Sequence, residues 1–212
     1  IFRHYVGVIL HSFSEPLNSA TSAQVEGSFG AGVLHIDGLP ATSDKLAEGE
    51  ASQPSGRLSA KVSWQVNRAV LKVEGSPRGW GATSGGTWWL HLTPRIPIDL
   101  TVKTGASNAT LDLSQLRIGN LRLDAGASNV NITLPASAGT TEAIIKVGAA
   151  NVDITVPQGV AARVKAQTGL GSFSIDKNRF PRSGDYYVSP DYNTAVNRVN
   201  LDVSSGVASV HV

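Results

Sequence analysis

Apolar and polar positions in the second half of the chain alternate with a period of two on both sides of a recurring small-residue phrase. The phrase returns at intervals of 21 or 22 residues as Gly105-Ala106-Ser107-Asn108, Gly126-Ala127-Ser128-Asn129, Gly148-Ala149-Ala150-Asn151 and, more weakly, Gly169-Leu170-Gly171-Ser172. Alternation of this kind is typical of a strand with one buried face. Each unit is therefore predicted to be a strand, a turn of small residues and a second strand.

The apolar positions fall in the same columns of every unit. The column five positions before each glycine contains Leu100, Leu121, Ala143 and Val164, and the column three positions before it contains Val102, Leu123, Ile145 and Ala166. The column four positions after the glycine contains Ala109, Val130, Val152 and Phe173, and the column six positions after it contains Leu111, Ile132, Ile154 and Ile175. A further copy surrounds Gly206, and a degenerate one surrounds Gly30-Ala31. A fixed period of this size indicates a repeat architecture, whose units bury their apolar faces by stacking on one another.

Two all-β arrangements satisfy this pattern. One is a β-solenoid, a right-handed β-helix-like stack of coils of about 21 residues; the other is an antiparallel meander or sandwich with the phrases at hairpin tips. The solenoid is favoured because tight hairpin turns prefer Asn-Gly or Asp-Gly, whereas glycine comes first here. A recurrent asparagine also suits a ladder of stacked amides. The residues assigned to these structural turns are Gly105, Asn108, Gly126, Asn129, Gly148 and Asn151.

The glycines of the phrase are expected to hold equivalent backbone positions. Glycine recurs where φ is positive or where a Cβ has no room against the next coil.

The chain divides into two regions by this pattern. Residues 1–95 form an irregular N-terminal β region with the degenerate coil, a loop from Ala41 to Ser59 and a tryptophan-rich cap. Residues 96–212 form the regular stack, interrupted by an insertion at 179–197. Long loops on repeat scaffolds are common positions for binding sites, so the insertion is a candidate for either binding or capping.

Composition excludes several functions. The net charge is +2 and the basic residues are dispersed, which argues against a nucleic-acid partner. Cysteine is absent, so disulfides and thiolate metal sites are excluded. The five histidines lack metal-ligand spacing, and the chain contains no Gly-x-Ser-x-Gly elbow. We therefore expect no catalytic residue, no metal, no cofactor and no enzymatic activity.

Aromatic side chains are the candidates for interaction. Neighbouring residues on a strand point to opposite faces, so Trp88 and Trp89 cannot both cover the core. The candidates at the two ends of the stack are Trp80, Trp88 and Trp89, then Arg182, Tyr186, Tyr187 and Tyr192. Each group either caps the stack or binds a partner.

Several short phrases resemble the bacterial toast-rack family, which is related to the LiaF-like proteins of the cell-wall-active-antibiotic response. They are Gly30-Ala31-Gly32-Val33-Leu34-His35-Ile36, Leu46-Ala47-Glu48-Gly49, Pro97-Ile98-Asp99-Leu100, Tyr187-Val188-Ser189-Pro190 and Asn197-Arg198-Val199. The resemblance covers the chain from about residue 23 to its end. It implies an all-β, extracytoplasmic or membrane-attached protein without an established enzymatic activity.

The expected function is that of a non-enzymatic β-solenoid domain in the cell envelope, for stress sensing, scaffolding or contact with an envelope protein. An adhesin-like or polysaccharide-binding module, with cell-wall glycan as partner, is the alternative, and a glycan-degrading β-helix enzyme is the third. The chain begins at Ile1 and has no apolar stretch of membrane-spanning length. Any membrane attachment is therefore expected from a segment absent from this chain.

Overall fold

The computed structural model describes residues 9–53, 56–77 and 86–212. Strands dominate these residues, and no helix long and apolar enough to cross a membrane occurs within them. The strands are β1 (Ile9–Pro16), β2 (Ser22–Phe29), β3 (Gly32–Gly38), β4 (Lys45–Gln53), β5 (Gly56–Gln65), β6 (Arg68–Pro77), β7 (Gly86–Leu92), β8 (Pro97–Thr104), β9 (Ser107–Asp112), β10 (Arg117–Thr133), β11 (Thr140–Thr155), β12 (Ala161–Ser174), β13 (Arg182–Ser183), β14 (Tyr186–Val188) and β15 (Arg198–His211).

The strands form parallel rungs, and each rung whose middle the structure describes has a corner there. Four rungs are single long strands, and three are pairs of shorter strands: β2 with β3, β6 with β7, and β8 with β9. The halves before the corners hydrogen-bond to one another and make a first wall, and the halves after the corners make a second wall. Antiparallel strands extend the walls at their ends.

Equal columns of the repeat lie side by side in these rungs. Leu121 of β10 is the register partner of Ala143 in β11, and Val130 is the partner of Val152. Parallel pairing in this register confirms the predicted β-solenoid-like stack and excludes antiparallel hairpins within the repeats.

The order of the rungs in space differs from their order in the chain at both ends. The order in space is β6/β7, β2/β3, β8/β9, β10, β11, β15 and β12. The last strand of the chain is therefore inserted between β11 and β12. The long connection after β12 makes this possible, because it is long enough to carry the chain over the edge of the stack.

One hydrophobic core lies between the two walls. The columns predicted to point inward are buried along the stack, with Ala166 and Phe173 of the end strand β12 half-buried. Short connections at 134–139 and 156–160 close the coils and add Leu134, Val156 and Val160 to the core.

The alternation slips by one residue at the corners. Gly126 and Ala127 are both exposed, although their neighbours Ala125 and Ser128 are both buried, and the corners at 104–107 and 147–150 show the same pattern. The extra outward residue lets the strand bend while both halves keep their apolar side chains inside, as in a β-bulge. The second residue of each phrase is consequently a surface position.

The N-terminal region departs from the sequence prediction in one segment. The predicted loop from Ala41 to Ser59 contains β4, which pairs with both β1 and β7. Ala47 and Ala51 of β4 are buried, and a Cβ on Gly49 would lie 2.0 Å from the Phe13 ring. Small residues favour strands weakly by themselves, so only the pairing with neighbouring strands creates this element.

The insertion lies at the opposite end of the stack. Phe180 is buried, and the ring of Tyr187 on β14 lies 5.4 Å from Phe173. The guanidinium of Arg179 donates hydrogen bonds to the carbonyl oxygens of Val156, Pro157 and Val160. These contacts tie the insertion to the final coil.

Candidate functional site

A shallow groove crosses the second wall just after the corners. Its volume is about 750 Å³, and its walls are two rows of side chains that run from rung to rung. We call it the corner groove. The repeated phrases themselves build this groove.

The apolar row of the groove consists of the second residue of each phrase. Ala127 is the register partner of Ala149, Ala149 of Val207, and Val207 of Leu170. All of these positions are exposed because of the slip in the alternation at each corner. The row therefore grows from alanine to valine and leucine toward the end strand β12.

The amide row faces the apolar row across the groove. The side-chain amide of Asn129 donates to Oδ1 of Asn108 at 3.0 Å, and that of Asn151 donates to Oδ1 of Asn129 at 3.1 Å. The row continues to Ser209 and Ser172, whose hydroxyls are 3.2 Å apart. Each amide NH2 has two hydrogens and each oxygen two lone pairs, so the exposed ladder keeps hydrogen-bonding capacity for a ligand.

Small residues form the floor between the rows. Ser107 and Ser128 are buried below the surface, their hydroxyl oxygens lie 3.5 Å apart, and the hydroxyl of Ser128 donates to the carbonyl oxygen of Gly105 at 3.0 Å. Ala150, Ala208 and Gly171 continue this column. Side chains this short leave the backbone close to any bound chain.

The corner groove and the outer face of the first wall differ in charge. Among the described residues that line the groove, none is charged or aromatic. On the outer face of the first wall Lys103, Asp124 and Lys146 are register partners, so opposite charges alternate from strand to strand. Arg122 also pairs with Asp124 at 2.9 Å on that wall. The groove is thus an uncharged strip on a protein whose other wall is ionic.

The aromatic candidates near the start of the chain occupy different environments. Trp88 is buried in the core, 5.7 Å from the ring of Phe29. Trp89 is half-buried on the outer face of the second wall and stacks on His35 with centroids 6.0 Å apart. Trp80 lies outside the described residues.

The candidates in the insertion lie at the other end of the stack. Tyr186 and Tyr192 flank the guanidinium of Arg163 at 4.9 and 5.8 Å, and Tyr187 packs on Phe173. Arg182 is exposed and donates from Nε to the carbonyl oxygen of Gly184 at 3.2 Å. The structure does not bring Trp88 and Trp89 together with these tyrosines.

The predicted turn residues contribute directly to the groove. Asn108, Asn129 and Asn151 line it, and Gly105, Gly126 and Gly148 stand at the corners beside it. Sequence analysis did not single out Val207 and Leu170. The sequence does mark these two positions, because a large apolar residue replaces alanine at the second position of the last two phrases.

The described residues include no cluster of three or more His, Cys, Asp or Glu side chains that could hold a metal ion.

A family comparison identifies the fold. Residues 9–155, more than half of the chain, match the model of the N-terminal domain of toast_rack, DUF2154. The chain belongs to the toast-rack family. No curated protein matches the sequence significantly. In this toast-rack protein the stack continues in register from the matched residues through β15 and β12.

One solved structure shows the same fold over nearly its whole length. A candidate cell adhesion protein from Clostridium sporogenes superposes with a TM-score of 0.84 at 20% identity, covering 97% of this chain and 98% of that chain. Candidate adhesins from Bacteroides fragilis (TM-score 0.33, 9% identity, 97% and 96% coverage) and Parabacteroides distasonis (0.30, 12%, 96% and 97%) are more distant. The first similarity establishes the fold alone, and the other two superpose too poorly to support an argument.

Proposed function

We propose that this toast-rack protein is a non-enzymatic interaction module outside the cytoplasm, which binds a partner protein of the cell envelope in the corner groove. The observation that carries the proposal is the uncharged strip formed by the apolar row and the amide row across consecutive rungs. A partner chain that lies across the rungs would pack on the alanines. It would also form hydrogen bonds with the asparagine amide groups, using the donors and acceptors that the ladder leaves unused.

The rigidity of the groove supports this function. The central part of the groove lies on β10, β11 and β15, each of which is hydrogen-bonded to a neighbouring strand on both sides, so binding there requires little ordering of the protein. A site that is already ordered loses less conformational entropy when it binds. The similarity in fold to a candidate cell adhesion protein is consistent with an extracytoplasmic surface role.

Within the envelope, stress sensing or scaffolding is the specific role that we propose. The resemblance of the sequence to the toast-rack family, with the relation to LiaF-like proteins that this resemblance implies, motivates that role. Such a domain would act by holding a membrane or envelope partner.

The test of the groove is a matched pair of photo-crosslinking variants. A photoreactive amino acid at Asn129, in the amide row, should capture a discrete envelope protein, whereas the same group at Ile144, which is 41% exposed on the first wall, should not. The variant Ala149→Arg should abolish the capture at residue 129 without changing the melting temperature. Equal capture from both walls, or capture that survives Ala149→Arg, would contradict the proposal.

Polysaccharide binding is the second candidate, and one observation favours it. The stacked pair of Trp89 and His35 is half-buried on the same outer face as the amide row, and its rings are inclined by only 13°. Aromatic side chains combine an apolar face with a polar edge, which suits partly polar ligands. If cell-wall glycan is the ligand, Trp89→Ala should remove retention on isolated cell walls, and Ala149→Arg should leave that retention intact.

A further inference from the structure

The last strand of the stack in space, β12, has an unpartnered edge on the second wall. β12 pairs with β15 from Ala161 to Ser174, but on its other side it pairs with β14 only at Arg163 and Val164. Within the described part of the chain, residues 167–174 therefore have a strand neighbour on one side alone. We call this segment the open edge.

Apart from Tyr187 of the insertion, whose ring packs on Phe173, the open edge lacks the features that usually keep sheet edges apart. Proteins blunt edge strands with charges, proline or a covering segment. The first half of β12 has such features, because it carries Arg163 and Lys165 and lies under β14. At the other end of the second wall, β1 carries Glu15 and ends in Pro16. Residues 167–174 contain neither a charged residue nor a proline.

Large aliphatic side chains stand beside the open edge. Leu170 is 74% exposed, and its register partner Val207 on β15 is 59% exposed. They form the wide end of the apolar row, so the open edge and the corner groove meet at this point. Adjacent exposed aliphatic side chains at an unpaired edge mark an interaction surface.

We propose that a second copy of this chain pairs with the open edge, β12 against β12, about a two-fold axis close to Leu170. A two-fold axis makes the two strands antiparallel, so each supplies free N–H and C=O groups to the other. The edge is uncharged, so it meets its own copy without like charges coming together, and the Leu170 side chains of the two copies pack near the axis. Such an interface uses the same surface on both copies and closes at the dimer.

This assembly goes beyond the proposed function and does not depend on it. Pairing of the open edges joins the second walls into one continuous sheet and places the two corner grooves end to end. A dimer would present two equivalent grooves on one surface, which increases avidity for a repetitive or dimeric partner.

Sedimentation equilibrium of the full chain tests the proposal with a pair of charge variants. The wild type should have twice the mass of the 22.1 kDa chain. Leu170→Lys and Leu170→Asp should each be monomeric, because like charges meet at the axis, and an equimolar mixture of the two should recover the dimer. Val196→Lys, at a position that is 84% exposed in the insertion, is the matched control and should stay dimeric.

Hydrogen exchange gives a second measurement. The carbonyl oxygen of Ser174 accepts from Val212 on the β15 side, so the N–H groups of Phe173 and Gly171 point toward the open edge. These two amides should exchange slowly in the dimer and fast in Leu170→Lys. The proposal would be overturned if the wild type were monomeric, if the dimer persisted in both charge variants, or if their mixture stayed monomeric. It would also be overturned if these amides were protected only when a different protein supplied the pairing strand.

Discussion

Gly148 lies so close to Gly126 on the neighbouring rung that a Cβ built on it would be 3.1 Å from the carbonyl oxygen of Gly126. The same approach recurs along the corner: a Cβ on Gly126 would lie 3.2 Å from the oxygen of Gly105, and one on Gly206 would lie 2.9 Å from that of Gly148. None of these glycines is among the described residues with positive φ. At Gly126, Gly148 and Gly206 the glycine is therefore explained by lack of space at the corner and not by the backbone angle.

Substitution of the corner glycines should therefore have graded effects. Gly206→Ala should lower the free energy of unfolding by about 1–3 kcal/mol, because a Cβ there overlaps the backbone oxygen of Gly148 on the neighbouring strand β11. Gly105→Ala meets only ordinary contacts, since its nearest neighbour would be 3.7 Å away. Its effect should lie within about 1 kcal/mol of zero, because alanine also restricts the unfolded chain. Urea unfolding of both variants measures the difference, and equal losses would contradict the steric explanation.

The core columns give a test with neighbouring residues on one strand. Ile145 is fully buried between the walls, and Ile144 next to it is 41% exposed on the first wall. Ile145→Asp should lower the free energy of unfolding by more than about 4 kcal/mol, because it places an unpaired carboxylate in the core. Ile144→Asp should change it by about 0.5 kcal/mol or less. Circular dichroism melts decide, and a normal melt for Ile145→Asp would reject the assignment of the columns.

The sequence predicted the columns because each unit obeys the same local rules. Val130 and Val152 each follow a corner glycine by four residues and stand between two polar residues. This local pattern identifies an inward-facing strand position without any knowledge of the strands that lie beside it. The order of the rungs was not predictable in this way. Ala166 and Val203 both fit the column beside Ile145, so local pattern does not decide whether β12 or β15 follows β11.

The candidate site was predictable only in part. The phrases Gly-Ala-Ser-Asn were identified as turns, and their asparagines line the corner groove. Exposure of the second residue, and hence of Leu170 and Val207, depends on the slip in the alternation at each corner. The sequence alone shows this slip in the alternation only if one already knows which way the strand bends at the corner. The aromatic residues were predicted as interaction candidates from their residue type. Residue type alone does not distinguish the buried Trp88 from the half-buried Trp89.

Arg179 should be a major stabilising contact of the insertion. Its guanidinium donates to the carbonyl oxygens of Val156, Pro157 and Val160 at 2.6, 2.5 and 3.0 Å. Arg179→Lys should lower the free energy of unfolding by about 1–3 kcal/mol, because one ammonium group cannot reach three oxygens with the fixed geometry of a guanidinium. Arg182→Lys is the matched control, since Arg182 is exposed, and it should change stability by less than about 0.5 kcal/mol.

Engineered disulfides should report the order of the rungs directly, because the chain contains no cysteine of its own. Asn151 of β11 and Ser209 of β15 are register partners, so their Cα atoms are about 4.8 Å apart, within the range that a disulfide requires. Asn151 and Ser172 of β12 would be neighbours if the rungs followed chain order, but with β15 between them they are separated by roughly twice that distance. Asn151→Cys with Ser209→Cys should oxidise readily in the folded protein, and Asn151→Cys with Ser172→Cys should keep two free thiols. Thiol titration and mass spectrometry under native conditions measure both. The reverse pattern would show that β12, and not β15, lies next to β11.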